Sequence, residues 1–274
     1  MTAPPPFSWT SGEVHADVLV GVALLAAAWA WARRAGPRIG AGADALCFGG
    51  ARLALVLALN GPLHDLSDYY LFSAHMVQHL VLTLLVPPLL LAGTPAFMVD
   101  GLLRPLRARR LSGALVRTLT RPLPALGLYA AALVGWHLPG PYGVALEIHA
   151  WHVVEHLALM ATAVLAWWPV LSRSTLAPAL PYAAQILYLF VFGIPMTVVA
   201  TMVTGAEQVL YPFYAAAPRL FDLTPLADQR LGGVIMWVPA GLIPIAAFTV
   251  VFFRWAASES DDPAEPMQIP SRPR

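Results

Sequence analysis

Residues 70–98 read YLFSAHMVQHLVLTLLVPPLLLAGTPAFM, and the fold turns on how this stretch is read. It contains no aspartate, glutamate, lysine or arginine. A helix rising about 1.5 Å per residue needs roughly 20 apolar residues to cross a hydrocarbon core, and this run exceeds that. Working outward, further apolar runs lie near 17–34, 44–61, 122–137, 148–170, 181–204 and 231–255, the fourth helix being the shortest. Pro87, Pro88, Pro195, Pro239 and Pro244 fall inside these runs, where each removes a backbone donor and invites a kink. The expected fold is all-α: a polytopic membrane protein built as a seven-transmembrane-helix bundle.

Composition supports the same reading. Of 274 residues 58% are hydrophobic and 11% charged, against about 25% charged in soluble domains. A formal net charge of +1 argues against an extended nucleic-acid surface. The single cysteine, Cys47, excludes an intrachain disulfide and any paired-thiolate metal site. The start, MTAPPPFSWTSGEVHAD, has no basic segment before its first apolar run, so it is not expected to be a cleaved signal peptide.

All sixteen basic residues are arginine, and they set the direction of the bundle. Arg33, Arg34 and Arg38 follow the first helix, Arg104 to Arg121 fill the loop after the third, Arg173 follows the fifth and Arg254 ends the seventh. In a seven-helix count these share one side, which the positive-inside rule assigns to the cytoplasm, with the N-terminus outside and the C-terminus in the cytoplasm; Arg219 and Arg230, in an outer loop with Asp222 and Asp228, are the exceptions. Residues 1–16 are then an extracytoplasmic segment, 17–255 the membrane domain and 256–274 a cytoplasmic tail. That tail, acidic and proline-rich, is expected to be disordered.

The topology makes no use of histidine, yet all eight histidines fall on its outer side. His75 and His79 are four residues apart, about 40° around a helix, and so share a face. His149, His152 and His156 follow an i, i+3, i+7 pattern on the fifth helix, again one face, with Glu155 just beside it. His137 ends the fourth helix. His15 and His64, taken alone, read as ordinary surface residues. Ionisable groups inside a membrane are costly and tend to be functional, although histidines can also serve as hydrogen-bonding glue between helices. Facing imidazoles suit copper, zinc, iron or nickel, and thioethers such as Met76 would favour Cu(I). Met76 follows His75 directly, however, and so points about 100° away.

These residues carry a resemblance. Ser73-Ala74-His75-Met76-Val77-Gln78-His79 runs into Pro87-Pro88-Leu89-Leu90-Leu91-Ala92-Gly93-Thr94-Pro95. Trp136-His137-Leu138-Pro139 with Tyr142, Glu155-His156 followed by Trp167-Trp168-Pro169, and Asp228-Gln229-Arg230-Leu231-Gly232-Gly233 continue it. The chain thereby resembles the CtaG-type (caa-type) cytochrome c oxidase assembly factors of bacteria. The resemblance implies a multi-pass protein of the bacterial cytoplasmic (inner) membrane, needed to make active haem–copper oxidase, with a presumed role in supplying copper to a metal centre. Its motifs cover His75, Met76, His79, His137, Glu155, His156 and Asp228, while His149 and His152 are added on helical spacing.

The expected metal set is therefore His75, His79, His137, His149, His152, His156, Met76 and Asp228, holding copper as Cu(I) for delivery to an oxidase subunit by ligand exchange. The expected partners are oxidase subunits, the lipid bilayer and a second copy of the chain, with no nucleic acid. No covalent reaction is required, so the expected role is that of a metallochaperone and not an enzyme. Three other readings stay open: a metal-free assembly scaffold, a membrane dihaem cytochrome, and a zinc hydrolase using His152-Val153-Val154-Glu155-His156, which matches the H-x-x-E-H pattern.

Overall fold

The computed structural model describes residues 7–10, 12–37 and 40–260, and every regular element among them is helical. The long apolar runs give α1 (Ala16–Arg33), α2 (Ala41–Leu59), α4 (Phe72–Ala92), α9 (His149–Leu171), α10 (Tyr182–Gly205) and α12 (Pro225–Ser260), with α7 (Pro122–Trp136) between them. Shorter helices fill the connections read from sequence as loops: α3 (Pro62–Tyr69), α5 (Ala96–Ala108), α6 (Arg110–Leu119), α8 (Pro139–Glu147) and α11 (Pro212–Ala216). Among the described residues, six helices are long and apolar enough to cross a membrane. The seventh expected crossing, α7, has 15 residues, or about 22 Å of rise.

Polarity is inverted relative to a soluble protein. Leu53, Leu57, Leu187, Phe190, Val198, Leu242 and Phe253 are exposed, whereas His75, Gln78, Glu155 and Asp228 have no exposed surface. An apolar rim around a polar interior is what a bilayer solvent selects. At the centre α4 packs between α9 and α12, and α10 lies against α12. The peripheral helix α1 buries none of its residues. It is fastened at its ends, where Trp29 Nε1 donates to Gly93 O at 2.9 Å and His15 N donates to Asn60 Oδ1 at 2.8 Å.

Proline shapes α4 just below its histidines. Pro87 has no N–H to offer the Thr83 carbonyl, and the helix widens into a π turn over Val81–Leu85, with Val86 N bonding Val81 O. The freed Thr83 carbonyl is taken by Trp167 Nε1 of α9 at 3.0 Å. A residue of the neighbouring span thus completes the broken ladder and fixes α4 against α9 at the depth of the site.

The two ends of the bundle differ in chemistry. At one, Arg173 Nη1 donates to Asp44 Oδ1 at 2.6 Å and Arg33 lies 3.8 Å from the same carboxylate. At the other, His15, His64 and His149 come together. The final helix runs beyond the expected limit of residue 255 to Ser260. Ala256 and Ala257 favour helix, and Trp255 Nε1 reaches Glu259 Oε1 one turn on at 3.1 Å. The cytoplasmic tail expected from 256 is therefore helical over its first five positions, and 261–274 lie outside the described residues.

Candidate metal centre

His75 projects from the first turn of α4, and His152, Glu155 and His156 project from the first two turns of α9. One ligand atom from each of these four buried residues lies within 4.8 Å of the others. His152 Nε2 and His156 Nε2 are 3.1 Å apart. Two nitrogens bonded at about 2.0 Å to one tetrahedral ion would sit about 3.3 Å apart, so this spacing suits a shared cation.

The surrounding hydrogen bonds turn the imidazole lone pairs inward. Tyr214 OH donates to Ser67 O at 2.6 Å, so it accepts from His75 Nδ1 at 2.9 Å and leaves His75 Nε2 bare. His137 Nδ1 donates to Leu133 O at 2.7 Å, so its Nε2 accepts from His79 Nδ1 at 3.3 Å. His79 Nε2, likewise bare, faces Glu155 Oε1 at 3.7 Å. His152 Nδ1 lies 3.5 Å from Asp68 Oδ2. Partners of this kind fix tautomer and ring orientation around metal ligands.

Four buried atoms at this point have no hydrogen-bond partner: His75 Nε2, His79 Nε2, Glu155 Oε1 and Glu155 Oε2. A buried carboxylate with both oxygens unsatisfied costs several kcal/mol unless a cation or proton compensates it. The donor set is imidazole and carboxylate without sulfur, which accommodates copper or zinc.

Other expected ligands are placed elsewhere. His137 supports His79 from behind. His149 stands one turn outward of His152 on a largely exposed rim, 3.8 Å from Asp17. Met76 has no exposed surface and packs in the apolar core, where a Cβ on Gly232 would come 3.1 Å from its Cγ. Asp228 accepts from Phe72 N (2.7 Å), Ser73 N (3.1 Å) and Ser73 Oγ (2.5 Å), satisfying donors at the N-terminus of α4 from across the bundle. The carboxylate of Glu155, left beside the histidine face by helical spacing, instead joins the group, and Tyr214 and Asp68 had no local signal in the sequence.

On the short helix α3, burial pushes the Asp68 carboxyl up to about 7, a hydrogen bond from Ser67 opposing it and Glu13 and Asp65 adding to it. Burial, with His15, His152 and His149 nearby, lowers His64 to about 3, so that ring stays neutral near pH 7.

Residues 22–258 match the family of the cytochrome c oxidase caa3 assembly factor, and the chain belongs to that family. Uncharacterized proteins of Mycobacterium bovis and Mycobacterium tuberculosis are each 26% identical over 207 residues, covering 69% of this chain and 30% of their own length. A Mycobacterium leprae protein is 21% identical over 210 residues with the same coverage. The chain thus spans about a third of the length of the curated relatives it matches. No solved structure matches it.

Proposed function

We propose that this assembly-factor family member takes up copper, as Cu(I), at His75, His152, Glu155 and His156 with His79 alongside, and hands it to a haem–copper oxidase subunit docked in the same bacterial inner membrane. The carrying observation is the convergence of bare His75 Nε2, His79 Nε2 and both Glu155 oxygens in a buried cluster beside the 3.1 Å His152–His156 pair. Delivery requires capture and release, not bond making, so the role is that of a metallochaperone and not an enzyme.

The chain crosses seven times in this reading. Arg121 precedes α7 at the arginine end, and His137 at its other end reaches His79, so α7 spans most of the bilayer and α8 carries the chain on outward. The arginine end is then cytoplasmic, and the N-terminus and the histidine end lie outside. A second copy of the chain remains a candidate partner. The dihaem reading fits poorly, because four ligand atoms within 4.8 Å leave no slot for a macrocycle.

One observation favours a second reading: His75 supplies the third imidazole that a zinc hydrolase built on His152, Glu155 and His156 requires. Glu155→Gln separates the two, since hydrolysis would vanish while metal occupancy largely persisted.

The test of delivery is made in cells lacking the chain. A parental copy restores an oxidase with its full copper content. The His75→Ala/His156→Ala variant, present in membranes at the parental level, restores haem insertion without copper. An oxidase with full copper from that variant overturns the proposal.

A further inference from the structure

A cavity of about 420 Å³ opens between α1, α2 and α9. His15, Asp17, His64 and His149 line its outer end, and it reaches His152 and His156 of the buried centre. Neighbouring rings are closely spaced. The centroids of His15 and His64 are 4.2 Å apart, those of His15 and His149 5.9 Å, and those of His64 and His152 6.2 Å. Carboxylates alternate with them: Asp17 Oδ2 is 3.8 Å from His149 Nε2, and Glu13 Oε2 is 3.9 Å from His15 Nε2. Asp68 Oδ2 stands between His64 Nε2 at 3.3 Å and His152 Nδ1 at 3.5 Å.

We infer that this histidine-rimmed cavity is a loading vestibule, which captures a soft or borderline metal cation from the outer side and passes it by Asp68 to His152 and His156. The inference rests on the copper-binding reading above and adds the route by which the site is filled.

Three features carry it. The rim offers imidazoles and the Asp17 carboxylate, and among the described residues no arginine or lysine lines the cavity, so cations are concentrated there. His15 Nε2 is shielded from solvent and has no hydrogen-bond partner, leaving a nitrogen free at the mouth. The deeper walls, formed by residues such as Val22, Leu55 and Leu157, are apolar apart from the Met160 thioether, so the nitrogen and oxygen donors along the cavity lead from the rim to His152 and His156.

His64 has a distinct part. Gln78 Nε2 donates to Ala58 O at 2.7 Å and to His64 Nδ1 at 3.1 Å, which turns the His64 Nε2–H toward Asp68. With its Nε2 3.3 Å from Asp68 Oδ2, His64 flanks that carboxyl where it stands between rim and centre. The α1 wall is fastened at its ends by Trp29 and His15 and gives the cavity only partly buried or exposed side chains, such as Val22.

The test separates rate from occupancy. Detergent-purified full chain is mixed in stopped flow with a coloured Cu(I) chelate, and loss of colour reports uptake. The His15→Ala/His149→Ala variant is expected to reach the parental copper content but about tenfold more slowly. An unchanged rate overturns the vestibule and leaves the buried centre standing. Loss of final copper from the folded variant also overturns it, because the rim would then be part of the holding site. A parent that takes up no copper removes the binding reading itself, and the vestibule with it.

Discussion

His152 Nε2 and His156 Nε2 face each other at 3.1 Å, one turn apart on α9. Two neutral imidazoles brought together through their nitrogens need a proton or a cation between them, since two lone pairs repel. Asp68 stands behind His152 and both oxygens of Glu155 lie alongside without partners, so a bound cation would find carboxyl oxygens placed to pair with it. A shared metal ion would satisfy His152, His156 and Glu155 at once.

Tyr214 sets the direction of His75 by accepting from its Nδ1. Tyr214→Phe removes that acceptor and frees the ring to rotate. Copper affinity is expected to fall by about 10- to 100-fold, measured by competition with a chelator of known affinity. An unchanged affinity would show that His75 is oriented by packing alone.

Asp228 gives the opposite pattern. Asp228→Asn weakens the bonds to Phe72 N, Ser73 N and Ser73 Oγ and is expected to cost about 1–3 kcal/mol of stability. The thermal midpoint in detergent drops while copper per folded chain stays at the parental value. Copper loss from a fully folded variant would return Asp228 to the ligand set.

The close approach of α12 to α10 depends on Gly233. A Cβ there would run into Thr204 Oγ1 and come 2.9 Å from the Thr204 backbone nitrogen, which has no room to yield. Gly233→Ala is expected to destabilise by about 1–3 kcal/mol. Gly241→Ala, on the same helix with nothing within 4 Å, is the matched control. It is expected to be neutral or to gain about 0.5–1 kcal/mol of helix preference.

Trp167→Phe leaves the Thr83 carbonyl, already deprived of a partner by Pro87, with no donor. A loss of about 1–3 kcal/mol is expected, with faster amide exchange confined first to the π turn of α4. Uniform protection across α4 would contradict this role for the indole.

Much of this arrangement was legible in the sequence because helical period and apolar length are local signals. The spacings of His75 with His79 and of His152 with His156 place each pair on one face, and the structure turns those faces together. The same period extended the face to His149, but three residues, about 4.5 Å of rise, carry it out of the cluster to the rim. Met76 belongs to the motif by adjacency, and its 100° offset sends it into the core. Asp228 meets α4 across more than 150 residues of chain, as Tyr214 meets His75 across nearly as many, and no local pattern encodes such meetings. For the same reason His15 and His64, unremarkable in isolation, join the others only once α1 and α3 are packed. The short helices α3, α5, α6, α8 and α11 sit in stretches too brief or too polar to stand out as apolar runs.

The central claim is tested most directly by metal content after Cu(I) loading of the detergent-purified chain, compared with His75→Ala/His79→Ala and His152→Ala/His156→Ala variants of unchanged helicity. The account predicts one copper per parental chain and background levels in both variants. Background copper in the parent, or parental copper in both variants, would contradict it and leave the histidines as contacts between helices or with a partner.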